Sequence, residues 1–437
     1  MERALAADPA TPTSGFRERA LAIPKEQLLF ILSVLVLAVH VADDNFLQPQ
    51  PGTSAADHLV SGLVPIGLLA LAVALYRRLR ASAQAGIALS LGVFGVVLGI
   101  EAVYYAREVG LSGDDYTGVL SIVAGLALIA LGAVTLWRSR RVGDSRPRRY
   151  LRRFLVLLGA AALAGFVLFP LSLAYVVTHT ARAGVPEAEL GANYEEVSFT
   201  TSDGLELEGW YIPSRNRAAV ISFPGRTSSQ KQARMLARHG YGVLLFDRRG
   251  EGASEGDPNV FGWAGDRDVR AAVEFLQQRP DVDDDRIGGI GLSVGGEMLL
   301  EAAAESDELK AIVSEGAGAR SIREDLEVSG NMKWLGVPAQ AFVSLGTAIF
   351  TNHTPPANLK ELVAKISPRH VFFLYGQKGQ PTEDDLNQTY FEAAGNPKAL
   401  WGVPEAGHIG GITAQPREYE RRVVAFFDDA LLQTPGP

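Results

Sequence analysis

Five apolar stretches crowd the first 180 residues of the chain, at 27–42, 59–76, 86–105, 117–137 and 154–177. A helix needs about 20 residues to cross a hydrocarbon core ~30 Å thick, and most of the stretches reach or approach that length, the first being the shortest. Runs this long, each flanked by charge, are hard to place as core helices of a water-soluble domain. They predict a membrane-spanning bundle over 26–177, preceded by a tail over 1–25. A cleaved signal peptide fits poorly, because four further spans follow the first and no small-residue cleavage site ends it.

The loops between the stretches set an orientation. Arg17, Arg19 and Lys25 precede the first stretch and Arg77, Arg78 and Arg80 follow the second. Arg138, Arg140, Arg141, Arg146, Arg148, Arg149, Arg152 and Arg153 fill the loop before the fifth. The alternate loops carry Asp43, Asp44 and Asp57, then Arg107, Glu108, Asp114 and Asp115. Cytoplasmic loops collect Lys and Arg, so the expectation is an integral protein of the cell membrane with a cytoplasmic N-terminus. Everything after Val177 is then extracytoplasmic, and the lipid bilayer is an expected partner. His40 and Glu101, near the outer ends of spans one and three, mark either a polar pathway or side chains reaching for the headgroups.

The absence of cysteine excludes disulfides, zinc–thiolate sites and a cysteine nucleophile. A formal net charge of -8 argues against a nucleic-acid partner.

After a polar linker over 178–193, with Gly184, Pro186 and Gly191, the pattern changes at Tyr194. A hairpin over 196–212 turns at Asp203-Gly204. Strands follow over 218–223, 243–246, 288–292, 310–313, 370–375 and 399–403, with helices over 230–239 and 264–278 among them. Repeated βα units predict a mostly parallel sheet with helices on both faces. An insert over 316–367 is too long for a simple connection and holds Trp334, Leu335, Phe342, Val343, Leu345, Ile349 and Phe350. It reads as a helical cap over the site or as residues packed onto the sheet.

Gly291-Leu292-Ser293-Val294-Gly295-Gly296 follows an apolar strand and opens a helix. A serine hydroxyl is a poor nucleophile unless a sharp turn lifts it clear of the backbone, and glycines on either side let strand and helix approach closely enough to form one. Ser293 is the candidate nucleophile.

Residues 194–433 resemble an α/β-hydrolase domain of the serine esterase and lipase kind, with an elbow similar to those of dienelactone hydrolases and prolyl oligopeptidases. The matching pieces are Ser202-Asp203-Gly204, Pro224-Gly225, the run from Asp247 to Ser254, the Ser293 elbow and Gly407-His408, in the family's order. The resemblance implies His408 as general base, able to take the serine proton and return it to the leaving group. It implies an oxyanion hole from the backbone N–H groups of Val294 and Arg226, since Pro224 removes one donor and leaves those of Gly225 and Arg226.

The chain departs from the family at the acid. Relatives carry aspartate three residues after the glycine ending the seventh strand, and here that count from Gly376 reaches Gly379. Thr382 looks like an N-cap with acids in the first turn behind it. Glu383, with its longer side chain, is the preferred carboxylate, followed by Asp384 and then by Asp325 or Glu324; a Ser–His dyad stays open. Arg226, Arg248 and Arg249 stand where α/β sheets bind ligands, and either hold an anionic substrate group or tie loops together through Asp247 and its neighbours.

The expected function is a membrane-anchored serine hydrolase acting on a small-molecule or lipid-like carboxylic ester (EC 3.1.1) through an acyl-enzyme. No metal or organic cofactor is implied, and no pattern sets an oligomeric state. A peptidase of the same fold and a non-catalytic membrane sensor or scaffold are the alternatives.

Overall fold

The computed structural model describes residues 24–108, 115–139, 145–180, 182, 184–327 and 333–433; the side chains of Glu101, Asp325, Trp334 and Leu335 lie outside the described set. The N-terminal helices are α1 (Lys25–Ala42), α2 (Leu59–Tyr76), α3 (Ala81–Glu108), α4 (Asp115–Arg138), α5 (Arg146–Leu163) and α6 (Phe169–Thr178). A π-helical segment, Ala164–Leu168, joins α5 to α6, so among the described residues five helical runs are long and apolar enough to cross a membrane.

Two boundaries differ from the expectation. The fifth run starts at Arg146, not 154, with Pro147 in its first turn, where a missing N–H is harmless. Arg146, Arg148, Arg149, Arg152 and Arg153 are therefore helical rather than loop residues. Asp43 and Asp44 lie not in a loop but on a π-helical extension of α1, Asp43–Leu47. Asp43 accepts a hydrogen bond from Thr117 at 2.9 Å, Thr117 meets His40 Nδ1 at 3.1 Å, and Tyr175 donates to Asp44.

Small residues knit α3 to α4. A Cβ on Gly92 would stand 2.7 Å from the Gly125 carbonyl oxygen, and one on Gly125 2.6 Å from that of Gly92. Glycine at both positions lets the backbones touch, as helices do where lipid supplies no hydrophobic drive.

The second half is an eight-stranded sheet: β1 (Glu195–Thr200), β2 (Glu206–Ile212), β3 (Ala219–Phe223), β4 (Gly242–Phe246), β5 (Ile287–Leu292), β6 (Ala311–Glu315), β7 (His370–Gly376) and β8 (Lys398–Val403). Their order is β1-β2-β4-β3-β5-β6-β7-β8. β2 pairs antiparallel with β1 and β4, and the rest run parallel. Alternation along each strand supplies both faces: Ala219, Ile221 and Phe223 of β3 enter one core with Leu244 and Phe246, whereas Val220 enters the other with Val243 and Leu245. The helices are α7 (Gln230–Arg238), α8 (Asp266–Gln277), α9 (Val294–Glu305), α10 (Ile322–Glu327), α11 (Lys333–Thr351), α12 (Leu359–Val363), α13 (Glu383–Ala393), α14 (Gly411–Ala414) and α15 (Pro416–Phe427).

The sheet domain is fastened to one end of the N-terminal helices at several points. His58 Nε2 lies 2.9 Å from Asp257 Oδ1, the Gly256 N–H donates to Pro51 O at 2.9 Å and the Val260 N–H to Val177 O at 3.1 Å. Arg182, within the linker, donates to Gly256 O at 2.7 Å and to Ser254 O. The insert provides another contact: α11 packs against α6 and α2 as well as against its own domain.

Candidate active site

β5 delivers Ser293 at its carboxyl end, and α9 begins one residue later. Ser293 has φ 51° and ψ -125°, a conformation an L-residue adopts only when its surroundings force it. The flanking glycines are what allow it: a Cβ on Gly291 would be 2.5 Å from the Gly295 carbonyl carbon, and one on Gly295 2.8 Å from Pro224 N. The Ser293 N–H donates to Glu315 O at 2.7 Å, anchoring the turn to β6.

His408 follows β8 and reaches the serine from the neighbouring loop. Its Nε2 lies 2.9 Å from Ser293 Oγ, and its Nδ1 lies 2.7 Å from Glu383 Oε2. The loops bearing His408 and Glu383 are joined by Gln377 N–H to Val403 O at 3.1 Å and Lys378 N–H to Ala406 O at 2.8 Å.

Glu383 is 3% exposed. Its Oε1 accepts the Gly376 N–H at 3.1 Å and its Oε2 the Gln380 N–H at 3.0 Å. Burial pushes its carboxyl up, but the His408 bond and the two N–H groups together outweigh burial and hold it below the usual carboxylate range. An ionised carboxylate on Nδ1 fixes the imidazole tautomer that leaves Nε2 free to accept a proton.

The other acids go elsewhere. Asp384 is exposed and accepts its neighbour Asp385 N–H at 2.9 Å. Glu324 is buried, accepting the Arg320 N–H at 2.9 Å and the Ser321 hydroxyl at 3.1 Å. The Asp325 side chain falls outside the described residues. Thr382 occupies the N-cap position of α13 with φ 75° but makes no side-chain capping bond.

The oxyanion expectation needs one correction. The Arg226 N–H donates to Asp247 Oδ1 at 2.9 Å, and its guanidinium meets the same carboxylate at 2.8 and 2.6 Å. A buried aspartate at the end of β4 demands donors, and Arg226 supplies them from backbone and side chain alike. Arg226 therefore does not offer its N–H to substrate. Val294 opens α9, where an N–H has no intrahelical acceptor; among the described hydrogen bonds neither it nor Gly225 N–H is taken. Arg248 and Arg249 also tie loops rather than face a ligand. Arg248 donates to Asn259 O at 2.9 Å, and Arg249 bonds Asp268 at 2.7 Å and Asp203 at 2.9 Å.

Sequence reasoning missed Glu315. At the end of β6 it is 1% exposed, and its carboxylate accepts the Gly411 N–H at 2.8 Å and the Tyr419 hydroxyl at 2.7 Å. Burial raises its carboxyl, and the charge of Glu383 adds to that. The His408 ring lies over the next residue: a Cβ on Gly316 would be 3.1 Å from His408 Cε1. The signal was an acid interrupting an otherwise apolar strand, which a strand end explains equally well.

The family model of X-Pro dipeptidyl-peptidase (S15 family) matches residues 205–394. The YfhR protein of Salmonella typhi is 25% identical over 252 residues, covering 55% of this chain and 83% of that protein. A protein of Mycobacterium tuberculosis is 28% identical over 264 residues, covering 58% and 87% respectively. Among solved structures, an esterase of Pyrococcus furiosus is 24% identical and covers 58% of this chain and 98% of that one, with a TM-score of 0.47. Taken with the strand order and the turn at Ser293, the family-model match gives the second half of the chain as an α/β-hydrolase domain, which follows, among the described residues, five helices long and apolar enough to span a membrane.

Proposed function

We propose that this chain is a membrane-anchored serine hydrolase that cleaves a carboxylic ester with a hydrophobic or lipid-like acyl group. The unbroken series Ser293 Oγ, His408 Nε2, His408 Nδ1 and Glu383 Oε2, at 2.9 and 2.7 Å, carries this reading. His408 Nε2 takes the hydroxyl proton as Oγ bonds to the ester carbonyl carbon. The tetrahedral oxyanion is stabilised by the Val294 N–H at the start of α9, with Gly225 N–H as the second donor. Collapse breaks the bond to the alcohol, which leaves with the proton from His408. Water, deprotonated by the same imidazole, then hydrolyses the acyl-serine.

The arginine asymmetry supports a cytoplasmic N-terminus and an extracytoplasmic hydrolase domain. A reporter fused after residue 437 should be active only outside the cytoplasm; cytoplasmic activity sinks the orientation.

A fluorophosphonate probe applied to membranes tests the chemistry. Wild type should label and Ser293→Ala should not. Equal labelling of the two, or none in either, removes the enzyme reading and leaves a sensor or scaffold on a hydrolase frame.

The match to the S15 peptidase model favours a second reading, cleavage of a peptide bond by the same serine. Hydrolysis of an X-Pro anilide at a kcat/KM above that of long-chain esters would select it.

A further inference from the structure

No charged residue lies between Lys333 and His353, so α11 is uncharged from its second residue to its last. Helices on the surface of a water-soluble domain carry charge on the face that meets water. α11 has such an outward face, for Pro338, Ala341 and Leu345, spaced three and four apart, are exposed, Leu345 by 51%. All three are apolar.

Its other faces are occupied. Val343 and Thr347 are buried toward the hydrolase core, where with Phe261, Trp263 and Glu297 they border a cavity of about 40 Å³. Gly262, between that Phe and Trp, lies against Val294, the residue after the nucleophile: a Cβ there would be 2.6 Å from Val294 Cγ2. Gly346 abuts the last apolar run, a Cβ on it reaching 2.6 Å from Ala174 Cβ and 3.2 Å from Leu171 Cδ2. Phe350 meets the Tyr175 ring edge-on at 5.3 Å.

The depth of this contact matters. α11 also packs against Ala164–Leu168, and from Leu168 to Thr178 is ten residues, about 15 Å along a helix. That is roughly half the ~30 Å thickness of a bilayer's hydrocarbon core. The neighbouring helices expose Leu68, Leu71, Phe166 and Phe169 on their own outer surfaces. Both threonine hydroxyls of α11 are satisfied within it, Thr347 donating to Val343 O at 2.9 Å and Thr351 to Thr347 O at 2.8 Å.

We infer that α11, although part of the hydrolase domain, is immersed in the outer leaflet with its Pro338–Ala341–Leu345 stripe against lipid acyl chains, and that the site takes its ester from that leaflet. This rests on the membrane reading above. It narrows the substrate to a lipid ester resident in the membrane, and it makes the insert helix a lipid-facing element rather than a segment in water.

The cysteine-free chain makes the test direct. Bimane is attached to Leu345→Cys in the full-length protein in phosphatidylcholine vesicles and quenched either by nitroxide-labelled acyl chains or by aqueous iodide. Phe166→Cys serves as the membrane control and Lys360→Cys as the water control. The expected result is lipid quenching at 345 and 166 and iodide quenching at 360. Iodide quenching at 345 with lipid quenching at 166 overturns this inference and leaves the membrane reading standing; iodide quenching at 166 overturns both. In a second arm, Leu345→Lys should lower the ratio of activity on vesicle-embedded long-chain ester to activity on soluble short-chain ester about ten-fold, because a cation resists immersion. An unchanged ratio overturns the substrate route. Absence of activity on both esters in wild type overturns the hydrolase reading, and with it the substrate route, while the quenching arm still decides the placement of α11.

Discussion

The carboxylate of Glu383 occupies the space into which a side chain at Gly379 would grow. A Cβ on Gly379 would lie 2.5 Å from Glu383 Oε2 and 2.7 Å from its Cδ. On the reading proposed above the acid comes from four residues beyond Gly379, and that position must stay small to admit the Glu383 carboxylate.

Moving the acid back should therefore work only if Glu383 withdraws. Glu383→Gln is expected to lower ester kcat by roughly a thousand- to ten-thousand-fold, as loss of the orienting carboxylate does elsewhere. Gly379→Asp alone should also lose activity, through collision. The double variant Gly379→Asp/Glu383→Ala should regain at least about ten-fold over either single one, because Gly379 is outside the left-handed region and tolerates a side chain. Steady-state kcat and probe-labelling rates decide it; a double variant no better than the singles rejects the substitution.

Glu315 is expected to act on His408 through both its hydrogen bonds and its charge. Glu315→Gln keeps the size of the side chain and removes the buried negative charge behind an imidazole that must become imidazolium during the reaction. Glu383 and Tyr419 are the other titratable groups against it, and the Lys378–Glu405 pair lies exposed at the rim. The variant should lower kcat by about ten-fold with KM little changed, the order expected from losing one through-space electrostatic interaction with the imidazole. The acid limb of kcat/KM should move to lower pH. A fall in kcat with an unmoved pH profile would assign Glu315 a purely structural part.

The His58–Asp257 contact should make attachment of the hydrolase domain pH-dependent. The bond to Asp257 outweighs burial and raises the imidazole above its ordinary value of 6.5. A raised value means the contribution is complete below about pH 6.5 and is lost as pH rises through the folded-state value. Limited proteolysis of the 50–58 loop should accelerate in alkali for wild type, and His58→Gln should show the alkaline rate at every pH. A pH-independent wild type would dismiss the linkage.

The glycine contact between α3 and α4 should tolerate no side chain. Gly125→Val places its Cβ 2.6 Å from the Gly92 carbonyl, and overpacking of this kind costs about 1–3 kcal/mol. A lower unfolding temperature in detergent is expected, with labelling of Ser293 per folded molecule unchanged. An unaltered transition would show that the two helices part readily.

The elbow was legible because the constraint falls on residue identity: Gly291 and Gly295 are needed by contact, and glycine is visible in a sequence. The acid was legible only as a candidate among several, since the count from Gly376 reached Gly379 and nothing in the letters says whether a longer side chain four residues on points back. Arg226 was misassigned because the destination of a backbone N–H leaves no mark on the residue that bears it; the buried Asp247 that takes it stands 21 positions away. Glu315 was silent for a related reason, its partners Gly411 and Tyr419 lying about a hundred residues along. In the apolar half, hydropathy located all five runs, but helix ends are set by local capping and packing. Arginines and aspartates counted as loop residues proved to be helical.

The several fastenings between Pro51, His58, Val177 and Arg182 on one side and the 254–260 loop on the other remove the swivel that a lone linker would allow. With the hydrolase domain so held, Ser293 keeps one height and one bearing relative to the helices that carry it. On the lipid-ester reading proposed above, a hydrolase mounted in this way would meet its substrate by two-dimensional diffusion. Its rate should then follow the mole fraction of that ester among the surrounding lipids, and dilution with inert lipid should slow it even while the total amount of substrate in the sample stays fixed.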